Sequence, residues 1–295
     1  IYNRPILTKI VFDKIKKIKP QKLFIAADGP QIKNKRDKKL CLESRKIINE
    51  VDWDCDLKLL LRKKNLGCKI GVSSAIDWFF ENVDQGIILE DDCLPDKSFF
   101  GFCGELLEKY KYDERVMMIG SYNFSDVDID ESYYFSKFTH IWAWATWKRS
   151  WKHFDLNISD WPENRETNFL YNIFGNRDDA EKRKNLLDQV FSKKINAWGY
   201  SWSYAMWNKK GFNIVPKITI SKNIGFSKEA THTKVMNPIV ENLKYGAINF
   251  PLIHPSSIIQ NKKADNIVRD SFFYPKIKNS FFKKLKGTLY KYFHF

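Results

Sequence analysis

Short apolar runs alternate with longer segments of helical periodicity over residues 1–125, and this alternation restricts the possible folds more than any other feature of the sequence. The runs short enough to be buried strands are Leu23–Ala27, Leu57–Leu61, Gly86–Leu89 and Val116–Ile119. The segments with apolar residues three and four apart are Lys9–Ile18, Leu42–Val51, Ile76–Val83 and Phe99–Tyr110. This βαβαβ order predicts an α/β fold with a doubly wound, mainly parallel sheet.

The charge of the chain lies near its two ends. The 295 residues carry a formal net charge of +15. Residues 9–39 hold eleven basic and three acidic side chains, and residues 271–295 hold six lysines and no acid. With Arg4 these account for the whole excess, so residues 40–270 are neutral. A general nucleic-acid-binding protein usually spreads basic residues over its main surface, and we expect no nucleic-acid partner.

The cysteines and the apolar runs indicate the compartment. Five widely spaced cysteines without a Cys-x-x-Cys pair favour a reducing environment over a disulfide framework or a zinc site. No apolar run approaches the roughly 18 residues of a membrane-spanning helix. We therefore expect a cytoplasmic protein. Ile1 is not an initiator methionine, and we expect the natural chain to begin earlier.

Glu90-Asp91-Asp92 directly follows the apolar run that ends at Leu89. Adjacent carboxylates repel one another unless a cation or hydrogen bonds compensate. Their oxygens suit Mg²⁺ or Mn²⁺, which bind one or two protein carboxylates together with phosphate oxygens. Ligands of doubly wound sheets bind at the carboxyl ends of strands, where the motifs around Arg4 and Asp28 are also expected. Taken alone, the acidic motif is also consistent with a surface turn that caps the next helix.

Eight motifs in order make the chain resemble the GT-A-type nucleotide-sugar glycosyltransferases, similar to mannoside N-acetylglucosaminyltransferase and related bacterial surface-glycan glycosyltransferases. They span residues 1 to about 255. The motifs are Tyr2–Pro5, Ala27–Pro30, Arg62–Gly67, Ile88–Phe100, Trp142–Trp147, Trp198–Trp202, Asn223–Phe226 and Ala230–Thr233. The resemblance implies a GT-A fold with a nucleotide-sugar-binding half (residues 1–125), an acceptor-binding, catalytic half (126–255) and a basic amphipathic tail (256–295).

The resemblance also implies roles for individual residues. Asp92 would bind Mn²⁺ or Mg²⁺, Asp91 would hold the ribose or donor sugar, and Glu90 would contact the sugar. Asp28 would bind the nucleotide base, most simply that of a UDP-sugar, with Arg4 beside the base or the phosphates. The Asn65-Leu66-Gly67 turn and Lys69 would lie near the diphosphate. Alternatively, Arg4 and Asp28 only satisfy the backbone of turns.

The sequence departs from the family where a general base is expected. Similar bacterial sequences carry an aspartate at the second position of the Trp-x-Tyr-x-Trp segment, and this chain has Gly199. Loss of a positioned base costs about 10² to 10⁴ in rate. Three explanations are possible. Asp160 or Asp188 would act as the general base instead, the protein would be a catalytically impaired relative, or this loop is misaligned with the similar sequences. These three explanations stay open.

Three further features bear on metal, acceptor and membrane. His232 is a candidate late metal ligand or a hydrogen-bonded loop histidine. Trp142, Trp144, Trp147 and Trp151 are mostly core residues, with one or two expected to line an acceptor cleft. Residues 281–293 interleave apolar residues and lysines, a pattern typical of a helix lying on an anionic membrane. The alternatives are a disordered basic tail and a helix packed on the domain.

The sequence thus predicts a metal-dependent, inverting glycosyltransferase. It would transfer sugar from a nucleotide-diphosphate sugar to a lipid-linked or other cell-surface glycan, such as lipopolysaccharide, and would be cytoplasmic or peripheral on the inner face of the membrane. One alternative is a sugar nucleotidyltransferase, although no glycine-rich basic loop follows Tyr2–Pro5. Another is a degenerate domain that binds nucleotide or glycan without transfer.

Overall fold

The computed structural model describes residues 1–226 and 238–273, which form a mixed α/β structure. The helices are α1 (Pro5–Ile18), α2 (Lys35–Arg45), α3 (Gly67–Asn82), α4 (Lys97–Lys109), α5 (Lys148–Trp151), α6 (Trp161–Arg165), α7 (Phe169–Phe174), α8 (Arg177–Phe191), α9 (Gly199–Asn208), α10 (Pro238–Glu241) and α11 (Lys262–Val268). The strands are β1 (Lys22–Ala27), β2 (Asp56–Leu61), β3 (Gln85–Ile88), β4 (Cys93–Pro95), β5 (Val116–Ile119), β6 (Tyr133–Ser136), β7 (Trp144–Trp147), β8 (Phe212–Pro216) and β9 (Ser221–Asn223). A 3-10 helix (Lys46–Glu50) follows α2, and a short π-helix (Arg269–Phe273) follows α11.

The strands form three sheets of mixed direction. β1 and β2 pair in parallel, and β4 pairs with β9 antiparallel. The central sheet has the order β3-β7-β5-β8-β6, in which only β5 and β8 are parallel. The α/β class is therefore confirmed, whereas the predicted mainly parallel order holds for two of the strand pairs described here. Strands from both sides of residue 125 share the central sheet, so the two predicted halves are structurally interleaved.

Helices cover both faces of the β1–β2 pair because side chains alternate along β1. Leu23 and Ile25 are buried with Phe12 of α1 and Ile47 of the 3-10 helix. Phe24 points to the other face, where its ring centroid lies 5.4 Å from that of Trp78 in α3. α1, with the α2 segment beside it, thus lies on one face, and α3 on the other.

Aromatic side chains fill the interior of the central sheet. Trp142, Trp144, Trp147 and Trp151 are all buried, at 7% exposure or less. The prediction that most of this group is core is confirmed, and none of the four exposes a ring for stacking on an acceptor.

The C-terminal end of the described chain is held by a buried carboxylate. Asp265 at the start of α11 accepts hydrogen bonds from the Ser136 hydroxyl at 2.5 Å, the Lys137 N–H at 3.0 Å and the Gln260 amide at 2.7 Å. This part of the predicted tail therefore packs on β6. Residues 281–293, the predicted membrane helix, lie outside the described residues.

The strands and helices predicted for residues 1–125 are present, with one shift. The predicted helix at Leu42–Val51 begins earlier, as α2, because the Asn34 side chain accepts a hydrogen bond from the Asp37 N–H at 3.0 Å and caps its first turn. α2 ends at Arg45, so only the first four residues of the predicted helix are α-helical, and Lys46–Glu50 forms the 3-10 helix instead.

Two predictions in the second half are wrong in detail. The strand predicted at His140–Ala145 is β7 instead, because Ala143 has a φ of 50°, which interrupts extended backbone. Gly211 was predicted to cap α9, but the left-handed residue there is Lys210, with a φ of 55°. The Gly211 N–H completes this cap by donating to the Met206 carbonyl at 2.8 Å.

None of the helices within residues 1–226 and 238–273 is long and apolar enough to cross a membrane. All five cysteines are free thiols, as the sequence predicts.

Gly29 and Gly104 should respond in opposite ways to alanine. A Cβ at Gly29 would lie 2.4 to 2.6 Å from backbone atoms of Lys64, whereas one at Gly104, exposed in α4, would meet nothing within 4 Å. We expect Gly29→Ala to lower the free energy of unfolding by about 1–3 kcal/mol through overpacking. Gly104→Ala should raise it by up to about 1 kcal/mol. Urea denaturation measures both, and equal effects would contradict the contact at Gly29.

Candidate functional site

The acidic motif lies where β3 ends, and its three carboxyl groups have different surroundings. Asp91 is buried at 5% exposure, whereas Glu90 and Asp92 are partly buried. The carbonyl of Glu90 accepts from the Cys93 N–H at 3.1 Å, which turns the chain directly into β4. Three acids therefore lie on one tight connection between two strands.

Arg4 compensates this concentration of negative charge. Its guanidinium donates one hydrogen bond to Asp91 Oδ1 and another to Asp92 Oδ2, the latter at 2.7 Å. Burial of Arg4 opposes its charge, but the adjacent Asp91 and Asp92 carboxylates raise its pKa overall. Arg4 directly precedes α1, so this helix delivers the cation to the acids.

The first residues of the chain hold Arg4 in place. The Ile1 amino group donates to the Ala26 carbonyl at 2.9 Å, and the Tyr2 N–H donates to Asp91 Oδ2 at 3.0 Å. The Tyr2 hydroxyl and the Asn3 amide both donate to Asp37, at 2.7 and 2.6 Å. This segment thus links the end of β1, the acidic motif and α2.

Asp28 organises the turn that leads into α3. Its carboxylate accepts from the N–H groups of Leu66 and Gly67 at 3.0–3.1 Å and from the Asn65 amide at 3.0 Å. The Gly29 N–H donates to the same carboxylate at 2.9 Å. The predicted residues Asp28 and Asn65 are therefore in contact. Because four donor groups already engage the carboxylate, a base N–H would have to displace one of them.

The residues that follow β9 pack against Asp92. β9 pairs with β4, and the Ile224 N–H donates to the Asp92 carbonyl at 2.8 Å. A Cβ built at Gly225 would lie 2.2 Å from Asp92 Oδ2, so only glycine fits at this approach. The Asn223–Phe226 motif of the sequence thus contributes backbone that packs against the acidic motif.

Burial, together with the negative charge of the site, raises the pKa values of Glu90 and Cys68. Burial, together with repulsion by Asp92 and Asp91, raises the pKa of Glu90 to about 8. Burial and the negative charge of Glu90 likewise raise the pKa of the Cys68 thiol to about 12. Cys68, the second residue of α3, therefore lies within the electrostatic reach of the acids.

The pKa of Lys69 is shifted by burial and a positive charge, and not by the acidic motif. Burial and the positive charge of Lys193, in the loop after α8, lower the pKa of Lys69. Lys69 is the third residue of α3, which begins at the turn that Asp28 organises. The sequence predicts Lys69 near a diphosphate, and this stays a prediction.

The candidate bases lie in another cluster. Asp160 accepts from the Tyr204 hydroxyl at 2.8 Å and the Asn208 amide at 2.7 Å, both on α9. Asp188 on α8 accepts from Arg165 at 2.8 Å and from the Trp161 indole at 3.0 Å. Both carboxylates thus tie together α6, α8 and α9. Their hydrogen bonds within the described residues do not connect them to Arg4 or the acidic motif.

Gly199 is the first residue of α9 and is buried. Trp198, which precedes it, belongs to an apolar cluster against which Cys68 of α3 packs. The beginning of α9 and the beginning of α3 therefore pack on the same apolar cluster.

The donors present suit a divalent cation only in part. Asp92 Oδ2 already binds Arg4, whereas the partner found for Oδ1 among the described residues is the Cys93 thiol at 3.6 Å. One carboxylate oxygen, completed by phosphate oxygens of a ligand, matches the way Mg²⁺ is commonly held. No group of three or more His, Cys, Asp or Glu side chains suited to a metal occurs in residues 1–226 and 238–273. His232 lies outside these ranges.

Sequence reasoning missed Asp37 and Cys68. Asp37 is the one acid in a run of basic residues, and its position three residues after Asn34 was the only local signal for it. Cys68 joins the site only because Asp28 places the start of α3 beside the acidic motif, which is a long-range effect.

Comparison with known proteins identifies no family for this chain, because neither a protein family nor a curated protein matches it.

Arg4→Met should destabilise the protein much more than the same change at Arg115. It leaves the buried Asp91 without its cation, and we expect a loss of about 2–4 kcal/mol in the free energy of unfolding. Arg115 forms an exposed pair with Asp113 and is itself 63% exposed, so its loss should cost less than about 1 kcal/mol. Urea denaturation of both variants tests this, and similar losses would show that the Arg4 contacts carry no special weight.

The raised pKa of Glu90 predicts a pH-dependent stability. A carboxyl whose pKa rises from 4.5 to about 8 on folding stabilises the protein fully below pH 4.5 and loses that contribution as the pH rises through 8. In metal-free buffer, Glu90→Gln should remove this decline and raise the free energy of unfolding at pH 8.5 by about 1–3 kcal/mol.

Glu81→Gln, at an exposed position of α3, is the matched control and should leave the pH profile unchanged. The interpretation fails if Glu90→Gln follows the wild-type profile between pH 5 and 8.5.

Proposed function

We propose that this protein is a GT-A-type glycosyltransferase that uses a nucleotide-diphosphate sugar, with Mn²⁺ or Mg²⁺ bound at Asp92. The observation that carries the proposal is the convergence of Arg4, Asp91 and Asp92 beside the turn that Asp28 organises. These residues come from three motifs of the chain: Arg4 precedes α1, Asp28 follows β1, and Asp91 and Asp92 follow β3.

The chemistry of glycosyl transfer fits this set of groups. The bond between the anomeric carbon of the sugar and the diphosphate oxygen breaks, and negative charge develops on the departing diphosphate. Arg4 offers a fixed cation next to the acids, and a divalent cation would supply further neutralisation when bound. Lys69 adds positive charge in the first turn of α3. The acceptor would be a hydroxyl group of a cell-surface glycan.

The residues predicted to take the acceptor proton are engaged in other contacts or lack a side chain. Asp160 and Asp188 hold α6, α8 and α9 together, and Gly199 has no side chain to accept a proton. These observations favour a second candidate function, a domain that binds nucleotide sugar without transferring it.

Thermal unfolding with nucleotides tests the donor site. UDP, GDP, CMP and dTDP are each added with and without Mn²⁺ to wild type, Asp92→Asn and Asp84→Asn. A nucleotide at about 100 times its Kd adds about 2.7 kcal/mol to stability. We expect metal-dependent stabilisation by one nucleotide, strongest for UDP, that is lost in Asp92→Asn.

Asp84→Asn is the matched control, because Asp84 is an exposed acid at the opposite end of β3. Stabilisation that survives in Asp92→Asn, or is absent for every nucleotide, would overturn the proposed donor site.

Gly199→Asp distinguishes transfer from binding alone. A carboxylate at the first residue of α9 is compatible with the positive end of the helix dipole. If this is the base position, release of nucleoside diphosphate in the presence of acceptor should rise by about 10² to 10⁴. An unchanged rate in a variant that still binds nucleotide would argue against this position as the base site.

A further inference from the structure

We propose that the outer face of α1 and α2 binds an anionic lipid bilayer. This surface, here called the α1–α2 face, is distinct from the candidate site and from residues 281–293. Its proposed occupant follows from two properties that occur together on it: exposed branched apolar side chains and an excess of lysine.

Both helices turn their outer sides in the same direction. Phe12 of α1 and Ile47, directly after α2, pack on the same face of β1, against Leu23 and Ile25. The two helices are also in contact with each other, and the Tyr2 hydroxyl, just before α1, donates to Asp37 of α2. The sides of α1 and α2 that point away from the sheet therefore form one continuous surface.

Large apolar side chains are exposed on this surface. Ile6 and Ile10, one helical turn apart on α1, are 74% and 40% exposed. Ile32, just before α2, and Leu42, on α2, are 78% and 55% exposed. Each of these side chains could enter the outer layer of a membrane.

Lysines surround these apolar residues. Lys14 and Lys17 lie on the same side of α1 as Ile10, and Lys33, Lys35 and Lys38 lie around the start of α2. None of these five forms an ion pair with a residue in the described part of the chain, in contrast to Lys9 and Lys16. Unpaired ammonium groups next to exposed isoleucines complement lipid phosphates above acyl chains. A nucleic acid would use the lysines but leave the isoleucines without a function.

The location relates this face to the candidate site. Ile6, in the first turn of α1, is two residues from Arg4, which directly precedes this helix. A protein bound through this face would hold the acidic motif close to the membrane surface, where a lipid-linked substrate is found.

Vesicle sedimentation of the full chain tests the proposal. We expect binding to vesicles of phosphatidylcholine with phosphatidylglycerol, and none to phosphatidylcholine alone. Lys14→Glu/Lys17→Glu should weaken binding at least tenfold, since each basic residue near the surface contributes about fivefold. Ile6→Ser/Ile10→Ser should also weaken it severalfold at unchanged net charge.

Matched variants control for overall charge and hydrophobicity. Lys152→Glu/Lys209→Glu makes the same change in net charge at exposed positions elsewhere, and Ile253→Ser/Ile259→Ser alters isoleucines that are 59% and 68% exposed. Both should bind within twofold of wild type. Circular dichroism establishes that each variant is folded.

Several results would overturn the proposal. Equal weakening in the Lys152/Lys209 variant would indicate attraction by net charge alone. Loss of binding only in Lys283→Glu/Lys284→Glu would assign the membrane contact to the tail. Binding to duplex DNA that is stronger than vesicle binding and insensitive to Ile6→Ser/Ile10→Ser would indicate a polyphosphate partner instead. Absence of vesicle binding by wild type would also overturn it.

Discussion

The contact of one guanidinium with two neighbouring carboxylates is the interaction on which the rest of the candidate site depends. Asp91 is buried, and a buried carboxylate without a cation would be strongly destabilising. Arg4 relieves this and, because it begins α1, connects the helical layer to the end of β3. The stability of the fold and the geometry of the site therefore rely on the same side chain.

The same arrangement explains how residues that are distant in sequence meet. The segment before α1 crosses from the end of β1 to the end of β3, bonded to Ala26 on one side and Asp91 on the other. Asp28, at the end of β1, fixes the start of α3. The short segments that follow β1 and β3 thus form a single polar cluster with the residues before α1 and α3.

The sequence predicted what local patterns determine. The strands β1, β2, β3 and β5 and the acidic motif at a strand end follow from short apolar runs and the residues next to them. The pairing of β3 with β7 could not be predicted, because the two strands are far apart in the chain and either direction leaves the same side chains buried. The roles of Asp160 and Asp188 were missed for a related reason, since their partners on other helices are visible only after packing.

The close approach of Gly225 to Asp92 has a consequence for ligand affinity. With backbone against one side of the carboxylate and Arg4 on Oδ2, few side-chain rotamers remain open to Asp92. The rotational entropy of this group is therefore lost when the protein folds and not when a ligand arrives. A rigid carboxylate of this kind favours ligands whose geometry already matches it and discriminates against those that would require it to turn.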